Sequence, residues 1–284
     1  MPDLIDTVTN RRKRFQQDPP SDRAKLEKAW RLLNDYSHIP EKEIEPHLRA
    51  IRDKAWTIFP YGCLGRWRFL DMYITTLPQY PSLLSHTRAG ATLLDCGCCL
   101  GQTLRQLALD GAPQANLIGA DLRPEFIDLG YDLFRDRETF GGKFVIGNML
   151  DPDDAGMKAL DGTVDIIHAA SLFHLFGWEE QVVLGVRMVR FFREGVAGAM
   201  VLGRQIGNAG EVLEPEEHVR RGMGRYFHNE ASMQRMWDVV GERTGTEWKV
   251  EAELETVVER AVVDMDGKDS EERRTTIRFV VRRV

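Results

Sequence analysis

Ala91-Thr92-Leu93-Leu94-Asp95-Cys96-Gly97-Cys98-Cys99-Leu100-Gly101-Gln102 is the stretch on which the fold turns. A short apolar run ends at an acidic residue, passes through a turn of small residues and enters a helical pattern. An apolar run of this length bounded by turn residues reads as a buried parallel strand over Ala91 to Leu94. Gly97 and Gly101 let the backbone bend tightly and approach a ligand at the start of the next helix, so a nucleotide or nucleoside is expected there. In the dinucleotide fingerprint G-x-G-x-x-G the second glycine makes room for the pyrophosphate. Cys98 stands in that place here, which argues against a pyrophosphate.

Downstream the pattern alternates between strand and helix. Leu104, Leu107 and Ala108 mark the helix after the turn, with Gly111 closing it. Asn116 to Ala120 reads as a second strand ending in Asp121, 26 positions after Asp95, and Pro124 opens a further helix at its first position. A carboxylate at the tip of a second strand serves either as a ribose acceptor or as a helix N-cap. Lys143 to Gly147, Val164 to His168 and Gly198 to Gly203 read as three more strands, with a helix over Trp178 to Phe192. Such alternation implies a parallel sheet covered on both faces. The end of the chain differs: Trp248, Val250, Ala252 and Leu254 alternate with charged residues, and after a polar turn over Asp264 to Glu272 a second alternation runs through Ile277, Phe279 and Val281. Two such strands with no helix between them make an antiparallel hairpin.

Upstream, residues 1–20 are polar, carry Arg11-Arg12-Lys13-Arg14 and end at Asp18-Pro19-Pro20, the pattern of a solvated arm. Residues 21–86 are expected to form a helical cap. Ser21 stands as an N-cap before Leu26, Ala29, Trp30 and Leu33, and a second apolar stripe runs through Ile44, Leu48, Ile51 and Ala55, with Pro46 in its first turn or at a mild kink. Trp56 to Cys63 forms an aromatic turn before the amphipathic stretch Leu64 to Leu77. Residues 87–284 then form the nucleoside-binding domain.

Composition narrows the function. A net charge of −6, from 44 acidic and 38 basic residues among 284, disfavours nucleic acid as a partner, because phosphate contacts need concentrated positive charge. No apolar run approaches the roughly 20 residues of a membrane span. The acidic start Met1-Pro2-Asp3-Leu4-Ile5-Asp6 lacks the basic and apolar regions of a secretory signal, so a cytoplasmic location is expected. Three of the four cysteines, Cys96, Cys98 and Cys99, lie in one turn and Cys63 lies far away. That arrangement offers neither a disulfide framework nor the paired ligands of a zinc site, and no metal is expected.

Placed on the sheet, the carboxyl ends of the first four strands bring Asp95 to Gly101, Asp121-Leu122, Asn148-Met149 and Ala169 to His174 to one crevice. The spacing D-x-G-x-x-x-G, with the terminal hairpin, resembles the class I S-adenosylmethionine (SAM) methyltransferases, whose Rossmann-like α/β fold is a mostly parallel seven-stranded sheet closed by an antiparallel hairpin. Leu93 to Gln102, Leu129-Gly130-Tyr131-Asp132-Leu133-Phe134-Arg135-Asp136, Leu172-Phe173-His174-Leu175-Phe176, Leu202-Gly203-Arg204-Gln205 and Trp67-Arg68-Phe69-Leu70 are similar, more narrowly, to fungal methyltransferases of meroterpenoid clusters. The likeness is to the austinol, andrastin and terretonin type, which methylate a carboxylic acid, and it spans the chain from about Ala55 onward.

The resemblance implies SAM as cofactor and roles for particular residues. Asp95, Gly97, Cys98 and Gly101 would cradle the methionine moiety, Asp121 would hold the ribose, and Leu122 would lie against the adenine. Asn148 would accept the adenine amino group in place of the aspartate many relatives carry, and Met149 would line the adenine face unless it is an ordinary core methionine; Ala169 completes that set. For the acceptor, a lipophilic carboxylic acid, the candidates are Tyr61, Trp67, His174, Arg204, Arg225 and His228, with His174 and Arg204 nearest the chemistry. Arg220 and Arg221 add to the positive charge of the same connection. The resemblance also implies a homodimer, with the aromatic N-terminal segment as the contact. The alternatives are methylation of a phenolic or alcoholic hydroxyl, and SAM binding without turnover; an NAD-dependent dehydrogenase is disfavoured by Cys98 and by the hairpin.

Overall fold

The computed structural model describes residues 26–195, 198–263 and 269–284; the arm expected over 1–20, Ser21 and the first part of the Asp264–Glu272 turn lie outside the described residues. In chain order the principal elements are α1 (Glu27–Arg31), α2 (Glu41–Ile58), α3 (Tyr80–Arg88), β1 (Leu93–Cys96), α4 (Gln102–Leu109), β2 (Leu117–Asp121), α5 (Pro124–Phe134), β3 (Lys143–Ile146), β4 (Ile166–His168), α6 (Trp178–Phe191), β5 (Met200–Ile206), α7 (Glu230–Thr244), β6 (Trp248–Val263) and β7 (Asp269–Arg283). The seven strands are ordered β3-β2-β1-β4-β5-β7-β6. β2 pairs with β3, β1 with β4 and β4 with β5 in parallel, while β7 runs antiparallel to β5 and β6. The mostly parallel sheet and the closing hairpin are those the alternation of apolar residues implies. β7 begins at Asp269, inside the polar stretch that the sequence reads as turn, and β6 runs up to its edge at Val263.

The chain divides into two compact units, Met1–Ala91 with Cys98–Ile146, and Thr92–Gly97 with Gly147–Val284. In the first, Ile44, Leu48, Ile51 and Ala55 of α2 are buried in one cluster with Phe126, Leu129, Leu133 and Phe134 of α5. The stripe at helical spacing therefore has its partner in the helix after β2. α2 runs through Pro46 without ending. Proline removes one bond to the carbonyl four residues back, and because Lys42 and Pro46 are both exposed, water can serve that carbonyl.

The stretch Leu64 to Leu77 is not one helix. It falls into short turns over Gly62–Gly65, Arg68–Leu70 and Tyr73–Thr76, separated by Trp67 and Met72 in the left-handed region at φ 60° and 41°. Both side chains are buried, and the Arg52 guanidinium lies 4.6 Å from the centre of the Trp67 ring. Packing of this kind overrides the cost of a left-handed non-glycine residue. Trp56 and Trp67 are only 1% and 2% exposed, so these two of the aromatics nominated for a dimer contact lie inside this unit, while Phe59 and Tyr61 are half-buried.

The second unit holds β1, β4, β5 and the hairpin, with α6 and α7 packed beside them. Gly185 of α6 meets Val240 of α7 so closely that an added Cβ would lie 2.5 Å from it. Among the described residues no helix is long and apolar enough to cross a membrane.

Candidate active site

The turn after β1 has its shape fixed from both sides. Gly97 and Gly101 sit at φ 71° and 68°, the left-handed conformation that glycine adopts without penalty. A Cβ on Gly101 would also lie 2.4 Å from Nη1 of Arg105. The Cys98 N–H donates to the Ala120 carbonyl (3.1 Å) and its own carbonyl accepts the Gly101 N–H (2.8 Å). The Cys98 side chain is buried, and a Cβ on Gly119 would meet its sulfur at 2.9 Å as well as the Phe144 ring at 2.7 Å. The Cys98 side chain therefore builds the turn from within. Its thiol points into the fold, so the case against a dinucleotide rests on the terminal hairpin and no longer on Cys98.

In the same unit, Asp121 ends β2. Its Oδ2 accepts the Cys99 N–H (2.9 Å) and its Oδ1 accepts the Arg123 N–H (3.0 Å). Arg123 is the N-cap residue of α5, so Asp121 is not that cap. Leu122, next to it, is 57% exposed, and Ile146, which pairs in register with Asp121, is 51% exposed. Two large apolar side chains left in water beside an oriented carboxylate form a surface suited to an aromatic base next to a diol. Tyr61 is half-buried between Phe59 and Phe126, with ring centres 4.5 Å and 5.7 Å away. Trp67 is buried in the apolar cluster of this unit.

In the second unit, Asp95 is buried at the end of β1, where its Oδ1 lies 2.7 Å from Nδ1 of His168. The two residues are direct register partners on β1 and β4. The sequence reading placed His168 only as a strand end. Beyond β4, the Ala169 N–H donates to Leu202 (2.8 Å) and the Ser171 N–H to Arg204 (2.7 Å), carrying the ladder along β5 towards His174. A Cβ on Gly203 would lie 2.2 Å from the Ala169 carbonyl oxygen, so glycine is required there. Ala169 is buried and spent on this ladder. Asn148 is exposed, its N–H donating to Asp154 (2.9 Å) and its Oδ1 accepting from Leu150 N–H (3.0 Å). The amide oxygen expected to receive an adenine amino group thus already closes a local turn. Met149 is half-buried on that turn.

His174 is buried. Its backbone N–H donates to Oε1 of Gln205 (3.3 Å), a contact that orients the buried amide of a residue the sequence reading passed over. The His174 Nδ1 and Gln205 Nε2 have no hydrogen-bond partner among the described residues. Burial foremost, helped by the charge of Arg225, pushes the His174 pKa down to about 4. Arg225 is exposed, whereas Arg220 and Arg221 both form ion pairs with Glu217. Arg204 is half-buried on β5, in register with Arg278. Of the arginines in the long connection after β5, Arg225 is the one whose charge is felt at His174.

His228 is a structural residue, contrary to its assignment to the substrate. It is fully buried, with Nδ1 3.0 Å from the Ser232 hydroxyl and Nε2 3.0 Å from Oε1 of Gln181. Burial pushes its pKa down to about 3. Both histidines are therefore neutral when folded, and above an unfolded pKa near 6.5 they are uncharged in either state. Below it the unfolded chain binds protons the folded one refuses, so stability falls as pH drops from 6.5 towards 4. The melting temperature should decrease between pH 7 and pH 5; a constant value would show that neither imidazole is sealed.

The comparisons agree with the fold. Residues 17–70 match the family model of the meroterpenoid methyltransferase N-terminal domain, and residues 93–195 that of a methyltransferase domain. The chain is 42% identical over 225 residues to the O-methyltransferase atr3 of Stereocaulon alpinum, covering 79% of this chain and 64% of that one. It is 40% identical over 223 residues to the O-methyltransferase phiE of a fungal species, covering 77% and 72%. Among solved structures, the YcgJ protein of Bacillus subtilis aligns at a TM-score of 0.50 and 13% identity, covering 72% of this chain and 96% of that one, and shares the fold. The chain therefore belongs to the meroterpenoid methyltransferase family, whose methyl donor is SAM.

Proposed function

We propose that this enzyme methylates a carboxylate of a lipophilic, part-terpenoid fungal metabolite. The observation that carries this reading is His174: buried, neutral, and with its pKa held near 4 beside the cationic Arg225. A base that weak is ill-matched to a phenol of pKa near 10, whereas a carboxylic acid arrives ionised and needs no base. Arg225 suits the same acceptor, since a guanidinium pairs with a carboxylate through two parallel bonds. Arg204 would assist it.

On the cofactor side, Asp121 would accept from the ribose hydroxyls, and Leu122 with Ile146 would meet the adenine. Asp95 and Gly97 would border the methionine end. The residues present fit SAM through the oriented Asp121 carboxylate and the two exposed apolar side chains beside it. When bound, SAM would supply a methyl group from a cationic sulfur to the carboxylate oxygen, the C–S bond being exchanged for an O–C bond, and the chain would have no proton to move. The work left to the chain is positioning, worth about 7 to 11 kcal/mol in favourable cases. The division into an arm, a helical cap over 21–86 and a cofactor domain over 87–284 belongs to the same proposal, as does a homodimer, which rests on the resemblance alone.

The test is incubation with methyl-labelled SAM and prenylated aromatic carboxylic acids. A methyl ester releases its label as methanol in alkali, whereas an aryl or alkyl ether keeps it. Alkali-labile label is expected, with kcat nearly flat from pH 6 to 8. His174→Ala should leave kcat within about tenfold, below the 10² to 10⁴ loss typical of removing a general base. Arg225→Gln should raise KM for the acid about tenfold, consistent with an exposed charge-assisted bond at the low end of its range. Alkali-stable label, or a steep rise in kcat from pH 6 to 8 that vanishes in His174→Ala, would favour a hydroxyl acceptor.

A further inference from the structure

Two buried amides in the second unit are served differently by the fold. Gln181 of α6 has both ends spent: its Nε2 donates to the carbonyls of Phe176 (3.0 Å) and Tyr226 (2.9 Å), and its Oε1 lies 3.0 Å from Nε2 of His228. Gln205, near the end of β5 and 2% exposed, has only one end spent. Its partner at 3.3 Å is the backbone N–H of His174. A backbone N–H can only donate, so the amide atom facing it is the oxygen, and the orientation of the amide follows. Nε2, with two hydrogens to give, is buried and has no partner among the described residues. Buried donors are as a rule paired, and one held open in a fixed direction is suited to an acceptor atom that arrives with a ligand.

The surroundings place this donor at the ligand end of the sheet. Past β4 the Ser171 N–H still bonds to the Arg204 carbonyl (2.7 Å), and the short turn Phe173–Leu175 follows. Phe173 anchors that turn through edge contacts with Trp237 and Phe279, whose ring centres lie 6.5 and 6.1 Å away. The connection after β5 is tied to the same segment, because the Tyr226 N–H donates to the Phe176 carbonyl (3.0 Å). In open α/β sheets ligands bind outside the carboxyl ends of the parallel strands, and His174 and Gln205 stand at two neighbouring ends. Nδ1 of the buried His174 is also without a partner among the described residues. Two residues joined by one hydrogen bond thus each keep a polar atom unmet, in a unit where Gln181 and His228 have theirs filled.

Resting on the carboxylate reading above, we propose that Gln205 is an acceptor-binding residue: its Nε2 donates to the oxygen of the substrate carboxylate that is not methylated. A carboxylate offers acceptor oxygens and no hydrogen, the complement of an amide nitrogen whose own oxygen is already spent. Donation to the attacking oxygen would blunt its lone pair, so the productive pose gives the hydrogen to the other one. The bond from the His174 N–H keeps the amide from turning its oxygen towards the substrate.

The test is calorimetry of the full chain, saturated with S-adenosylhomocysteine, using a farnesylated benzoic acid and its methyl ester. Gln205→Met keeps the length of the side chain and removes its polar atoms. Binding of the acid should weaken about ten- to thirtyfold, within the range of a lost charge-assisted bond, and that of the uncharged ester less than about fivefold. Gln205→Glu keeps the oxygen that faces His174, while its second oxygen donates only as long as it carries a proton. Its affinity for the acid should therefore fall more than about tenfold from pH 6 to pH 9 while that of the parent stays level, a signature that packing alone does not produce. Both variants should bind S-adenosylhomocysteine as the parent does, which reports an intact fold. Binding of the acid to Gln205→Met within threefold of the parent, or equal losses for acid and ester, overturns the proposal and leaves the carboxylate reading standing. Alkali-stable label from the parent in the turnover assay removes that reading and this inference with it.

Discussion

Asp136→Ala should lower the folding free energy by about 3 to 5 kcal/mol, the range for breaking a buried ion pair on one side. Asp136 accepts two bonds from Arg105, Nε to Oδ2 at 2.8 Å and Nη2 to Oδ1 at 3.0 Å, and both side chains are buried. Four rings surround the guanidinium, with centres of Tyr131, Phe134, Phe140 and Phe144 between 4.1 and 5.2 Å from its central carbon. Those rings favour a cation, but none replaces the carboxylate. Removing it leaves an uncompensated charge in a buried site, and arginine cannot discharge by losing a proton. Tyr36 donates to the same carboxylate at 2.8 Å, tying the helical segment after α1 to this centre. Tyr36→Phe removes one neutral donor and should cost about 1 kcal/mol. Urea unfolding of the three proteins reads both values; a loss under about 1 kcal/mol in Asp136→Ala would show that the pair is open to solvent. Arg105→Met with Asp136→Leu should recover most of the stability, because an apolar replacement of both partners removes the desolvation cost along with the attraction.

Neither Arg105 nor Asp136 stands out in the sequence, and the reason is general to this chain. What was legible there is what the backbone dictates locally: the two glycines around Cys98, the acid at the tip of β2, the proline opening α5 and the alternation of β6 and β7. Each follows from a steric or periodic rule that needs no knowledge of distant neighbours. What was not legible comes from pairings between distant segments. Asp95 finds His168 because β1 and β4 lie in register though they are not consecutive strands. Trp67 and Met72 break an amphipathic stretch because their buried positions demand left-handed backbone, which residue type alone disfavours. Arg220 and Arg221 looked equal to Arg225 in the sequence; their ion pairs with Glu217 set them apart. The histidines divide in the same way, since His228 has both nitrogens spent and the buried Nδ1 of His174 has no partner among the described residues. Sequence pattern thus locates the strand tips, and side-chain partners decide which residues at those tips remain for chemistry.

Asp121→Ala should weaken binding of S-adenosylhomocysteine by about two to four orders of magnitude. Two ribose hydroxyls donating to one carboxylate make two charge-assisted bonds of about 1.5 to 3 kcal/mol each, and each 1.4 kcal/mol is tenfold in affinity. The same carboxylate receives the Cys99 and Arg123 N–H groups, so alanine also frees the turn after β1 from the start of α5. Asp121→Asn separates these contributions. Its amide keeps one acceptor oxygen and the side-chain shape but loses the charge and turns the second oxygen into a donor. About half of the binding loss should therefore appear in Asn, with the remainder in Ala. The fold should survive both changes, since Asp121 is half-buried and lies at a strand end; a melting temperature within a few degrees of the parent would confirm that the loss is one of binding. Calorimetry that finds the alanine variant within threefold of the parent would remove Asp121 from the ribose site. Asp95, the other candidate carboxylate, already spends an oxygen on His168 at 2.7 Å in a buried setting, so Asp95→Asn should act on the fold of its own unit. Only the Asp121 series isolates the nucleoside contact.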